Sequence, residues 1–91
     1  MAAIARHLSI SGRVQGVFFR AWTREQAERL GVNGWVRNCP DGHVEAHVEG
    51  EPGAVEQMID CLRDGPPAAE VENFRIWDVD TFELDAFEVR H

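Results

Sequence analysis

Gly12-Arg13-Val14-Gln15-Gly16-Val17-Phe18-Phe19-Arg20 is the stretch of this chain best equipped for chemistry. Its glycines admit backbone conformations that other residues resist, so a turn here can aim successive N–H groups into one concavity. Set on the positive end of a following helix, such a turn makes an anion site that needs no net protein charge. Arg20 would close the ring with a planar, two-pronged donor to phosphate oxygens that stays charged at any working pH. A glycine pair by itself more often marks an ordinary loop, with Arg20 a solvated helix residue. Farther along, Asn38 offers a carboxamide that can accept a hydrogen bond from water through its oxygen while its NH2 donates elsewhere, although it is not basic enough to take a proton. An asparagine before a turn also reads as a local cap.

Other chemistries fall away on residue types and spacing. All nine formally basic Lys/Arg side chains are arginine, so neither a Walker A lysine nor a Schiff-base lysine can be supplied. A cysteine-dependent phosphatase needs Arg six residues after its Cys, but those positions hold Glu45 after Cys39 and Pro67 after Cys61. Both thiols read as reduced, with Cys61 packing beside a helix and Cys39 either packing, reactive or bridged to Cys61. His43 and His47 share a strand face, yet their spacing spans roughly 13 Å, too far for one metal ion. His7 and His91 have no metal-spaced companion, so no metal and no cofactor are expected. Trp22, Trp35 and Trp77 invite comparison with RNA-stacking sheets, but the aromatic consensus of those modules is missing. The formal charge of −7 opposes general affinity for nucleic acid or anionic membranes.

The elements that must position these residues follow from periodicity. Ile4, Leu8 and Ile10 alternate with His7, Ser9 and Ser11, predicting a strand that ends at Gly12. From Phe19 to Leu30 the period becomes helical, with Phe19, Thr23, Ala27 and Leu30 on one face, Arg24, Glu25, Glu28 and Arg29 on the other, and a Glu25–Arg29 pair along it. Gly31 is placed to cap this helix. Val32–Cys39 and His43–Glu49 read as a hairpin about Pro40-Asp41-Gly42, with Val44, Ala46 and Val48 inward and His43, Glu45, His47 and Glu49 toward water. A second helix starts at Pro52 with Val55, Met58, Ile59 and Leu62 on its apolar face, and Gly65-Pro66-Pro67 ends it. Val71–Val79 is a fourth strand, residues 81–86 are loop-like, and Phe87 with Val89 suggests a short fifth strand. The order predicts an α+β, ferredoxin-like βαββαβ two-layer sandwich, an antiparallel sheet with two helices on one face, in one domain spanning residues 1–91. No apolar run approaches the roughly 20 residues of a membrane span, and the N-terminus is too short for a signal sequence, so a cytoplasmic monomer is expected.

Taken as a whole string, residues 12–20 resemble the signature Gly-x-Val-Gln-Gly-Val-x-Phe-Arg of the acylphosphatase family at every fixed position. Gly34-Trp35-Val36-Arg37-Asn38, followed by Pro40-Asp41-Gly42-His43-Val44-Glu45, resembles the family's second signature. Cys39 stands where bacterial relatives often carry Leu, and the final segment departs somewhat from the usual ending. The resemblance implies a metal-independent hydrolase of acyl phosphates. It assigns phosphate binding to Arg20 and to the backbone amides of Gln15, Gly16, Val17, Phe18 and Phe19, and orientation of the attacking water to Asn38. Inorganic phosphate or a similar anion is expected to fit the same loop. A carboxylate leaving group needs no protein acid, and with no protein base in view the substrate's phosphate oxygen is the expected proton acceptor. Two alternatives stand beside the enzyme: a non-catalytic phosphate or carbamoyl-phosphate binding module, and an RNA-binding or interaction domain sharing only the fold.

Overall fold

The computed structural model describes residues 2–91. Its elements are β1 (Ile4–Arg13), α1 (Phe19–Leu30), β2 (Asn33–Asn38), β3 (Val44–Gly50), α2 (Pro52–Asp64), β4 (Glu70–Val79) and β5 (Phe87–Arg90). They form one sheet in the order β4-β1-β3-β2-β5, with both helices packed on the same sheet. Four strands pair antiparallel, and β5 joins β2 in parallel, so the sheet is mixed. The antiparallel sheet expected from the element order is present in β1 to β4, and the short fifth strand is added in parallel along the edge of β2.

The core is the layer between sheet and helices. Leu8, Ile10, Val36, Val44, Ala46 and Val48 meet Phe19, Ala27, Val55, Met58, Ile59 and Leu62, all buried. Apart from Val36, which periodicity does not single out, these are the inward positions that the strand period of two and the helical period of 3.6 predict. Asn38 lies opposite Val44 across the β2–β3 ladder, in the row that also pairs Val36 with Ala46. It therefore faces the helical layer, whereas Arg37, opposite Glu45, faces away.

The outer face of β3 departs from expectation. The alternation along β3 predicts His47 and Glu49 facing water, but they are only 1% and 4% exposed. The non-helical segment between β4 and β5 folds back over them. Phe82 stacks on His47 with ring centroids 4.7 Å apart. Glu49 accepts hydrogen bonds from the N–H groups of Phe82 (2.9 Å) and Leu84 (3.0 Å), and pairs with His47 Nε2 at 2.7 Å. Asn33 Nδ2 completes the attachment by donating to the Leu84 carbonyl at 2.8 Å. Residues 81–86 are thus irregular, as predicted, but tied down. On α1, Arg29 donates to Gln26 Oε1 at 2.7 Å rather than pairing with Glu25.

Burial raises the pKa of Glu49, but the two backbone donors and His47 outweigh it and hold the carboxyl below its ordinary value. A carboxyl depressed in the folded state adds stability above the unfolded value, about 4.3 for Glu, and that stability is lost as pH falls through the folded value. Glu49→Gln is therefore expected to lower stability at neutral pH by about 1–3 kcal/mol, the scale of hydrogen bonds to a charged buried group. It should also flatten the acid limb of a stability–pH curve measured by urea denaturation.

Candidate active site

Three anchors hold the segment between β1 and α1. Val14 is fully buried, Val17 packs against the core, and Phe19 sits in the core as the first residue of α1. Gln15 reaches across to the hairpin, where its Nε2 donates to the carbonyls of Cys39 (2.8 Å) and His43 (3.0 Å). The two glycines have different tasks. Gly12 lies within β1 at a register shift against β4, where a Cβ would overlap the Glu70 carbonyl. Gly16 has open space around it but a left-handed φ of 74°, so its backbone angle favours glycine. Phe18 is also left-handed, at φ 59°, with its ring 85% exposed. A non-glycine residue in that region costs roughly 1–2 kcal/mol, a strain typical of functional turns.

The turn leaves donors unspent. Among the described residues, the N–H groups of Gln15, Gly16, Val17 and Phe18 donate to no backbone acceptor in the loop or beyond it. Nor does Phe18 cap α1 with its side chain, and the first helical turn has no acidic residue to offset the positive helix end. The local field favours an anion although the whole chain carries a formal charge of −7.

Arg20 and Asn38 complete one cleft of about 560 Å³, lined also by Val14, Gly16, Phe18 and Phe19. Arg20 Nη1 donates to the Arg90 carbonyl at 2.9 Å and meets His91 Nδ1 at 3.0 Å. That contact fixes one edge of the guanidinium to the end of β5, while Nε and Nη2 have no partner among the described residues. Asn38 Oδ1 is buried and has no hydrogen-bond partner among the described residues. An orphaned buried acceptor costs about 1–3 kcal/mol and calls for an explanation in function. Of the residues named from sequence, Gly16, Phe18, Phe19, Arg20 and Asn38 line the cleft, whereas Gln15 and Val17 support it from behind. The sequence reading missed Arg24, one turn after Arg20 on the polar side of α1, and Val89 and His91 at the chain's last strand, all of which line the same cleft.

The acylphosphatase family model matches residues 6–89. The chain belongs to the acylphosphatase family. An acylphosphatase of Gloeobacter violaceus is 60% identical over 74 residues, spanning 81% of this chain and 80% of that relative. One of Anaeromyxobacter sp. is 50% identical over 93 residues and all of both chains. The solved acylphosphatase of Coxiella burnetii superposes with a TM-score of 0.92 at 38% identity, covering 97% of this chain and 93% of that one. Full-length HypF, solved with phosphate and nucleotide bound, matches with a TM-score of 0.87 at 27% identity, covering 99% of this chain but 12% of HypF. The chain is accordingly an acylphosphatase enzyme, with an acyl phosphate as its substrate class.

A second hollow of about 340 Å³ lies around the β2–β3 turn, lined by Arg37, Asn38, Cys39, Asp41, His43 and Glu45 among others. Cys39 and Cys61 are both free thiols, so the bridge alternative does not occur. The Cys39 thiol donates to Glu45 Oε1 at 3.0 Å. Burial, followed by that bond, pushes the thiol up to about 11. The Cys39 thiol, with Arg37 and His7 and against the opposing effect of burial, holds Glu45 at about 2. Both effects favour the protonated thiol over a free thiolate at neutral pH.

Removing the bridge from Gln15 should loosen the turn without touching a substrate. For Gln15→Ala we expect a loss of about 1–2 kcal/mol in urea denaturation, as two part-buried carbonyls each lose one of two donors and keep the backbone N–H of Gly42 or Cys39. Single-turnover kinetics should also show a slower chemical step.

Proposed function

We propose that Arg20 and the N–H groups of Gln15 to Phe19 hold the phosphoryl group of the acyl phosphate while Asn38 directs the attacking water in line with the leaving carboxylate. The observation that carries this reading is the meeting, in one cleft, of a turn with undonated N–H groups, a guanidinium with a free edge, and a carboxamide oxygen with no partner. Phosphoryl transfer through a loose transition state asks mainly for positioning and for stabilisation of charge on the equatorial oxygens. The fixed turn and Arg20 supply donors for those oxygens without reorganising during the reaction. The carboxylate departs as an anion, so no general acid is needed. The proton lost by water passes to a phosphate oxygen of the substrate: among the described residues no Asp or Glu side chain lines the cleft, and its imidazole, on His91, faces Arg20 Nη1 at 3.0 Å. No metal ion or cofactor takes part in this scheme, and inorganic phosphate competes for the same turn.

The setting we propose is a single catalytic domain over residues 1–91, acting as a cytoplasmic monomer with neither nucleic acid nor membrane as partner. The formal charge of −7 supports the exclusion of polyanions. No helix among the described residues is long and apolar enough to cross a membrane. The match to HypF favours one second reading, a phosphate-binding module without turnover.

Benzoyl phosphate hydrolysis in the presence of a chelator separates the two. We expect turnover to persist in chelator. Arg20→Ala should raise KM and lower kcat/KM by about 10³-fold, and Asn38→Ala should lower kcat by about 10²-fold with KM little changed, magnitudes typical of losing one preorganised donor or positioning group. Phosphate binding without hydrolysis would establish the module instead, and unchanged rates in both variants would refute the residue assignment.

A further inference from the structure

The outer side of the β2–β3 turn brings together three side chains that the hydrolytic scheme does not use. Cys39 Sγ, a nitrogen of His43 and a carboxylate oxygen of Glu45 all lie within 4.8 Å of one another. Cys39 Sγ stands 3.0 Å from Glu45 Oε1, and His43 Nε2 stands 3.9 Å from the same oxygen. A tetrahedral zinc ion, with bonds of about 2.3 Å to sulfur and about 2.0–2.2 Å to nitrogen or oxygen, sets its ligands roughly 3.2–3.8 Å apart. To meet that requirement the Sγ–Oε1 separation widens and the Nε2–Oε1 separation narrows by roughly half an ångström, and the widest separation in the cluster, up to 4.8 Å, closes by about 1 Å.

The surrounding shell matches what such a site needs. Asp41 Oδ1 pairs with His43 Nδ1, which turns Nε2 toward the cluster and fixes the tautomer that ligates. His7 Nε2 sits 2.9 Å from Glu45 Oε2 and so orients the second carboxylate oxygen away from the ligating one. Cys39 and His43 are further held by the turn itself, through Cys39 N–H to the His43 carbonyl at 2.8 Å and by Gln15 on both carbonyls. The second hollow gives access from solvent and leaves room for a water as fourth ligand.

We propose that Cys39, His43 and Glu45 form a binding site for a zinc-class divalent ion, with Asp41 and His7 as its positioning residues, on the sheet face opposite the hydrolytic cleft. A sulfur, a nitrogen and an oxygen donor select zinc or cobalt over magnesium and calcium, which take oxygen ligands. Binding replaces the S–H bond of Cys39 with a thiolate–metal bond, and the proton leaves to solvent. Arg37, 2.7 Å from Glu45 Oε1 and half exposed, swings out to water as the ion takes its place. No electron is transferred.

The test is a titration of the whole protein with Co²⁺, read by absorption, with Zn²⁺ added afterwards. The expected result is a thiolate-to-cobalt charge-transfer band in the near ultraviolet with the intense visible bands of a four-coordinate ion, both abolished by Zn²⁺. Cys39→Ser should remove the charge-transfer band, and Cys61→Ser should leave it intact. His43→Asn, at a half-buried position, and Asp41→Asn, on the exposed turn, should weaken Co²⁺ binding tenfold or more. The proposal is overturned if the parent protein gives only the faint spectrum of hydrated, six-coordinate cobalt. It is equally overturned if the charge-transfer band is lost in Cys61→Ser, or if His43→Asn binds as tightly as the parent.

Discussion

Backbone N–H groups bind an anion only where nothing else has claimed them, and a loop that keeps several unclaimed must be held open by force. In this chain the force comes from side chains pointing away from the cleft. Val14 and Phe19 pin the two ends of the turn into the core, and Gln15 ties its middle to the carbonyls of Cys39 and His43. With those anchors in place, Gly16 and Phe18 adopt left-handed angles that a free loop would relax. The result is a concave set of donors on an uncompensated helix end. A chain with a formal charge of −7 can thereby attract a dianion locally while repelling polyanions in general.

The same bridge makes Asn38 part of the site. Gln15 grips the backbone just beyond Asn38, and the β2–β3 register turns Asn38 inward beside Val36 and Val44. Its neighbour Cys39 sends its thiol to Glu45 on the outer face. One step along the chain thus separates two chemical environments, the cleft we propose for the phosphoryl group and a thiol–imidazole–carboxylate cluster behind it. At the far edge, β5 delivers the Arg90 carbonyl to Arg20, so the last strand fixes the guanidinium in addition to extending the sheet.

Much of this was legible before any coordinates. The helices, the strands to within about a residue and the inward rows follow from period and from glycine and proline punctuation. Gly12 to Arg20 and Asn38 stand out as a candidate phosphate site through the resemblance of the whole string, since a glycine pair and an asparagine before a turn are each compatible with ordinary loop roles. What escaped the sequence is what depends on distant segments. His47 and Glu49 alternate like solvent-facing residues, and nothing in that alternation reveals that Phe82 and Leu84 return to cover them. The Gln15 bridge spans 24 and 28 residues, so no window contains it. The Cys39–His43–Glu45 cluster escapes for a related reason: spacing along an extended strand separates His43 from His47, whereas the tight turn folds Cys39 back onto His43.

The central claim is that the turn's own N–H groups, together with Arg20, grip the phosphate. It is tested most directly by following the backbone and arginine N–H signals in nuclear magnetic resonance while inorganic phosphate is added. The account predicts saturable shifts concentrated at Gln15 to Phe19 and at the Arg20 guanidinium, with the outer sheet face unmoved. Shifts centred on other arginines with the turn silent would contradict it.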